Sequence, residues 1–298
     1  MTAAQNTTSA LENEAVGSKQ GPVGRITVHF LVVCLMAFWL IPTIGLLVNS
    51  FRPAADVANS GWWTGLLSPG NLTLDNYATV LGQSGLVDAF INSLFITIPS
   101  TVIPIFVAAF AAYAFAWMTF PFRNVLFVAV VGLLVIPLQT TLIPVLRLFA
   151  QFQINGSFLA VWLAHTAYGL PFAIYLLRNF MGSLPKEVFE SAAIDGANPA
   201  VAFFRLAIPM SVPALAALAI FQFLFVWNDL LVALIYIGAS NPENLPLTVV
   251  IANLVNSLGS GWHLLGAAAF ISMALPLIVF FALQRYFVRG ITGGAVKG

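Results

Sequence analysis

RNFMGSLPKEVFESAAIDGANPAVAFFRLAIPMSVP, residues 178–213, is the stretch on which the fold of this chain turns. Beyond Arg178, at its first position, it carries five charged residues: Lys186, Glu187, Glu190, Asp195 and Arg205. Holding one charge at the centre of a bilayer costs about 3 kcal/mol, so inserting all of them would cost ~15 kcal/mol. The stretch therefore lies at a membrane surface. It also has internal order. Ser183 can cap a helix that carries Pro185 in its first turn, where a missing donor does no harm. Val188, Phe189, Ala192 and Ala193 recur at helical spacing and give a narrow apolar face. Gly196 follows the last turn, as a helix stop should. Asn198–Pro199 then reads as a fresh cap and first-turn proline, opening a second short helix that Pro209 and Pro213 break up. The pattern is helix, glycine turn, helix. An interfacial hairpin that merely joins two spans would share this outline, but the small, alanine-rich stripe suits packing against another protein better than burial among acyl chains.

Outward from the hairpin the chain turns apolar. Of 298 residues, 60% are hydrophobic and 7% charged, whereas soluble globular chains carry roughly a quarter charged residues. The solvent for most of the chain is lipid. A helix needs about 20 apolar residues to cross a ~30 Å hydrocarbon core, and the gaps between charges locate six such helices. They are Ile26–Ser50, Ala89–Trp117, Val125–Leu146, Phe158–Leu177, Val212–Ile237 and Leu264–Phe287. The expected fold is thus an all-α integral membrane protein of six spans, with the polar hairpin (about 179–210) between the fourth and fifth. No period-two alternation appears, which argues against a membrane barrel. The first 24 residues are polar and aperiodic and read as a disordered tail ahead of a membrane domain over 25–298. No short apolar core with a cleavage site follows them, so they do not read as a secretory signal.

With the N-terminus inside, nine of the 11 Lys and Arg residues fall in inner segments and only Arg52 and Arg147 in outer ones. This bias places both termini in the cytoplasm. Trp62, Trp63, Trp162, Trp227 and Trp262 then sit at or near the outer face, as an aromatic belt. The net charge of +1 points to no nucleic-acid partner. The single cysteine, Cys34, lies in an apolar run and excludes a disulfide framework or a Cys-based metal site. Pro42, Pro99, Pro104, Pro137, Pro144, Pro171 and Pro276 fall within the spans. Each removes a backbone donor and tends to kink its helix, either as tolerated irregularities or as hinges.

ESAAIDGANPAVAFFRLAIP, from Glu190 to Pro209, resembles the signature loop of bacterial ABC importer permeases: E-A-A, three residues, Gly, nine residues, then I-x-L-P. Here Glu190, Ala192 and Gly196 match, Ser191 stands at the first alanine, and Leu206 and Ile208 are swapped before Pro209. LTLDNYATVL (Leu72–Leu81), INSLFIT (Ile91–Thr97), AAYAFAWM (Ala111–Met118), IPLQTTLIP (Ile136–Pro144), GLPFAIYLLRNF (Gly169–Phe180) and VWNDLL (Val226–Leu231) look like the maltose-permease-type branch that handles carbohydrates. The resemblance implies that Glu190, Ala192, Ala193, Asp195, Gly196 and Pro209 belong to a coupling helix and loop that seat in a cytoplasmic ATPase subunit. It also implies a second homologous permease chain, two ATPase subunits and an extracytoplasmic sugar-binding protein, in a bacterial inner membrane.

Nucleotide chemistry of the chain's own is absent from the sequence. No Gly-Lys pair occurs, so no phosphate loop of the G-x-x-x-x-G-K-[ST] kind can form, and no cofactor is expected; ATP would be bound by the partner subunits. His29, His165 and His263 lack a second ligand at metal spacing, and no Gly-x-Ser-x-Gly elbow accompanies His165 as a base. Asp229 stands out, because an intramembrane carboxylate is a functional candidate by default. It follows Pro213 by 16 residues, about 24 Å along a helix, near the outer end of its span. Hydroxyl-rich solutes want acceptors and aromatic faces, so Asn92, Gln139, Trp227, Asn228 and Asp229 are candidates for the pathway lining. A carboxylate in the wet interface, bonded to Asn228 or a neighbouring helix, fits Asp229 equally. A self-sufficient secondary transporter would call for intramembrane acid–base pairs and no docking hairpin; a permease for peptide or phosphate is the other alternative, the latter wanting a basic lining.

Overall fold

Long uncharged runs fold as helices, and prolines decide where those helices bend. The computed structural model describes residues 22–83, 85–238, 241–254 and 261–295. Every element of regular structure among them is helical. The long first helix is α1 (Pro22–Ser50). Short α2 (Ala54–Asn59), α3 (Thr64–Leu67) and α4 (Asp75–Gln83) lead to α5 (Leu86–Trp117). Then come α6 (Arg123–Gly132) and α7 (Leu138–Gln151), followed by α8 (Phe158–Gly182), α9 (Lys186–Ile194) and α10 (Pro199–Met210). The remainder is α11 (Val212–Trp227), α12 (Leu231–Tyr236), α13 (Leu247–Ala252) and α14 (Trp262–Ala295). Among the described residues, four helices are long and apolar enough to cross a membrane singly; α6 with α7, and α10 with α11, qualify only as bent pairs. Residues 1–21 of the expected tail lie outside the described residues, and α1 begins at Pro22, within the segment expected to be disordered.

Two expected spans are corrected. The third, expected as one helix over Val125–Leu146, is broken by 102° between α6 with its 3-10 extension and α7. Ile136 is extended (φ −75, ψ 116) because the residue before a proline is pushed out of the helical region, and Pro137 has no N–H to continue the ladder. The fifth ends at Trp227 instead of Ile237. There the Asp229 carboxylate accepts the N–H groups of Val232 and Ala233, at 3.3 and 3.1 Å, and so starts α12 afresh.

α5 and α8 form the centre of the bundle. Ala108, Ala109 and Ala112 of α5 and Ala173, Ile174 and Leu177 of α8 are buried in one cluster, and small side chains let helices approach closely without a hydrophobic drive in lipid. A proline within a helix leaves the carbonyl four residues earlier without its donor. A buried acceptor left unpaired costs about 1–3 kcal/mol. Three carbonyls freed by prolines are taken by side chains of neighbouring helices. Trp162 Nε1 donates to the Phe95 carbonyl freed by Pro99, at 2.8 Å. Gln222 Nε2 donates to the Ser100 carbonyl freed by Pro104, at 3.1 Å. Trp227 Nε1 donates to the Ser272 carbonyl freed by Pro276, at 3.2 Å.

α1 stands apart: it is exposed from Arg25 through Ile44 and, among its described side chains, buries only Gly45, Val48 and Ser50. Just beyond its end, Arg52 is 2% exposed. Its guanidinium donates to Asn49 Oδ1 (2.9 Å), the Asp56 carbonyl (2.8 Å), the Ser60 carbonyl (3.3 Å), Thr64 Oγ1 (3.0 Å) and Ser60 Oγ. Neutral acceptors thus wrap residues 52–64 around one buried cation, and Asn76 ties α4 to the same point by donating to the carbonyls of Ser50 and Arg52.

Candidate functional site

The charged stretch between α8 and α11 folds as two helices joined by a glycine turn. α9 runs over Lys186–Ile194 and closes on Gly196, whose φ is +83. The Ala197 N–H reaches the Ala192 carbonyl at 2.9 Å and the Gly196 N–H the Ala193 carbonyl at 3.1 Å. These paired bonds form a Schellman stop, which needs a left-handed residue at its turn. Asn198 Oδ1 then accepts the Val201 N–H at 2.9 Å and caps α10. Ser183 does not act as the expected cap. It ends α8 instead, its hydroxyl donating to the Phe180 carbonyl at 2.7 Å, and Pro185 takes the position before α9 without a side-chain bond.

The hairpin is fastened to the bundle by aromatic rings. Phe189 is the one buried residue of α9 and stacks on Trp117 at the end of α5, centroids 3.9 Å apart and planes 20° from parallel. Phe203 of α10 stacks on Phe110 at 4.6 Å and meets Tyr113 edge-on at 5.2 Å. Phe203–Ala207 form a π turn, the Ile208 N–H bonding the Phe203 carbonyl, and this widened turn lets the chain pass Pro209 without ending the helix there.

With Phe189 turned inward, the opposite side of α9 is open. Glu190, Ser191, Ala193, Asp195 and Gly196 are exposed, Ala192 is half-buried, and Pro209 is exposed on α10. Ile194, outside the apolar face that the spacing predicts, is 88% exposed. It lies four residues after Glu190, so the two share one helix face; that spacing was the available signal. Ile194 thus stands exposed on a helix face flanked by the acidic Glu190 and Asp195.

The pathway candidates do not form one cluster. Asn92 donates to the carbonyls of Glu243 (2.7 Å) and Leu245 (3.2 Å) beside a cavity of about 530 Å³ that Asp88 and Glu243 also line. Gln139 is exposed near the start of α7. Trp227 is buried and occupied with Ser272, and Asn228 turns back to the Leu224 carbonyl at 2.8 Å. Asp229 is bound to backbone N–H groups, not to Asn228. Its Oδ2 lies 3.7 Å from Nε2 of His165, a residue fully buried on α8 that the sequence reading had set aside as isolated. Thr141, Tyr168 and Tyr236 extend a polar string nearby, with Tyr168 and Tyr236 hydroxyls 2.7 Å apart and Thr141 Oγ1 donating to Tyr168 at 3.1 Å. No group of three or more His, Cys, Asp or Glu with metal-holding geometry occurs among the described residues.

Residues 18–293 match the model of the family described as binding-protein-dependent transport system inner membrane component. The chain is 56% identical to the osmoprotective compounds uptake permease protein GgtD of Synechocystis sp., over 92% of each chain. It is 41% identical to the alpha-glucoside transport system permease protein AglG of Rhizobium meliloti, over 91% of this chain and 97% of the relative. Its fold matches a chain in the crystal structure of a bacterial ABC transporter that imports the acidic polysaccharide alginate, with a TM-score of 0.76, 22% identity and coverage of 91% and 100%.

Proposed function

The chain belongs to the binding-protein-dependent transport system inner membrane component family, and from that premise we propose that it lines the path of a small neutral sugar while partner subunits hydrolyse ATP. It is a multi-pass permease of the ABC importer type. The substrate class we favour is an alpha-glucoside or another osmoprotective compound, the solute types for which the relatives AglG and GgtD are named. A second homologous permease chain, two cytoplasmic ATPase subunits and an extracytoplasmic binding protein complete the assembly. Both termini then face the cytoplasm, and ATP is bound by the ATPase subunits, this chain holding no cofactor of its own.

The observation that carries this reading is the hairpin. Its inner side is clamped by Phe189 and Phe203 while Glu190 and Ile194 stand free, so a partner that pulls on α9 pulls on α5 through Trp117. Closure of the ATPase pair on ATP would move the hairpin, and the bundle would follow. Asp229, at the break between α11 and α12, and Asn92 are our candidates for contact with the solute.

The test is reconstitution. The isolated chain in detergent should hydrolyse no ATP, and the assembled complex should hydrolyse ATP and take up radiolabelled maltose in proteoliposomes. In a Cys34→Ser background, Ala193→Cys should cross-link to the ATPase subunit and Thr79→Cys should not. Hydrolysis by the isolated chain, or no cross-link from position 193, would overturn the division of labour.

A further inference from the structure

α11 grips two other helices at their weakest points. Ser211 separates it from α10 with a bend of 71°, and its one proline, Pro213, lies in the first turn. From Val212 to Trp227 it is therefore a stiff rod, rooted in the hairpin. Gln222, 6% exposed, reaches the α5 carbonyl opened by Pro104. Trp227, 3% exposed, reaches the α14 carbonyl opened by Pro276. The two positions differ by about 140° around the helix axis, so the rod holds one helix on each side. α8 leaves space for the amide: a Cβ at Gly169 would stand 2.6 Å from Gln222 Oε1.

A proline-opened turn is where a helix bends most readily, because one rung of its ladder is missing. A donor fixed to a neighbouring rod sets the bend according to where that rod stands. We propose that Gln222 and Trp227 are positioning residues for transport: they carry the displacement of the docking hairpin along α11 into the bends of α5 and α14. α5 in turn holds the outer segment, Asn92 donating to the carbonyls of Glu243 and Leu245. A push on the hairpin thus has a continuous physical route to the outer end of the bundle.

The inference rests on the hairpin docking proposed above, and the two fail separately. The assembled complex is reconstituted in proteoliposomes, and uptake of radiolabelled maltose is measured per ATP hydrolysed. Gln222→Leu should leave co-purification of the ATPase intact and ATP hydrolysis within about two-fold, while uptake per ATP falls about five-fold or more, the loss of roughly one hydrogen bond's coupling. Trp227→Phe should act in the same direction. The double variant Pro104→Ala with Gln222→Leu closes the Ser100 carbonyl within α5 but leaves the helices unlinked. It should assemble as well as the unmodified chain and still transport poorly per ATP, which also settles the matter if Gln222→Leu alone assembles badly. Normal uptake per ATP in the double variant would reduce Gln222 to a plug for an orphan carbonyl and overturn the relay. Failure of the unmodified chain to co-purify with the ATPase would overturn the docking, and the relay with it.

Discussion

The indole of Trp117 lies flat against the ring of Phe189, 3.9 Å between centroids, while its Nε1 donates to the Met181 carbonyl at 3.0 Å. One side chain at the end of α5 thereby joins the end of α8 to the surface helix α9. Aromatic pairs contribute about 0.5–1.5 kcal/mol beyond the area they bury. Phe189→Ala should therefore speed amide hydrogen exchange over residues 186–195 roughly ten-fold and leave the α5 core amides unchanged. Equal protection in the variant would show that α9 is held by its flanking turns alone.

Gly196 adopts φ +83, and a Cβ built there meets nothing within 4 Å of this chain. Gly196→Leu should cost the hairpin about 1 kcal/mol through backbone strain, without an internal clash. Gly196→Asn, which tolerates the left-handed region better, should cost less. Both should reach the membrane, and the bulkier leucine should reduce ATPase co-purification far more than its strain explains. Co-purification equal in the two variants would mean that the partner's surface does not come close to this turn.

Asp229 serves the backbone whatever else it does. Asp229→Ala removes the acceptor of two α12 N–H groups and should lower stability by about 1 kcal/mol, as losing a helix cap does. Asp229→Asn keeps an acceptor oxygen and should recover most of that stability. Uptake kinetics separate the roles: if the carboxylate meets the solute, KM rises in Asp229→Asn although the thermal midpoint is near normal. An unchanged KM would confine Asp229 to starting α12.

Orientation is open to direct measurement. Reporter fusions after Ser18 and after Val296, both outside the described residues, should read cytoplasmic, because nine of 11 Lys and Arg residues lie in the same set of alternate segments. Extracytoplasmic activity at either point would reverse the membrane sidedness of the hairpin.

What the sequence made legible was local. Gly196 and Asn198 occupy the stop and cap positions that their residue types announce, since both depend on bonds spanning a few residues. Ser183 misled because a serine between two helices can serve either one, and its hydroxyl went back to Phe180. The third span misled because an apolar run was weighed by length, while Ile136–Pro137 set the backbone direction. The fifth misled because Asp229 offered its carboxylate to the following turn. Contacts between distant segments were not legible at all. The prolines at 99, 104 and 276 announce freed carbonyls, but nothing in the chain's order says that Trp162, Gln222 and Trp227 answer them, or that His165 stands beside Asp229.

The tight fit between Gly169 and Gln222 also constrains how such chains can diverge. Any larger residue at 169 evicts the amide at 222, and without that amide the proline at 104 leaves a carbonyl orphaned in the bundle. Three positions on three helices should therefore be inherited as one character. Lineages that abandon Pro104 free the other two to drift, whereas lineages that keep it should keep both Gly169 and Gln222. A sequence alignment of relatives would record this as a covarying triplet rather than as three independent columns.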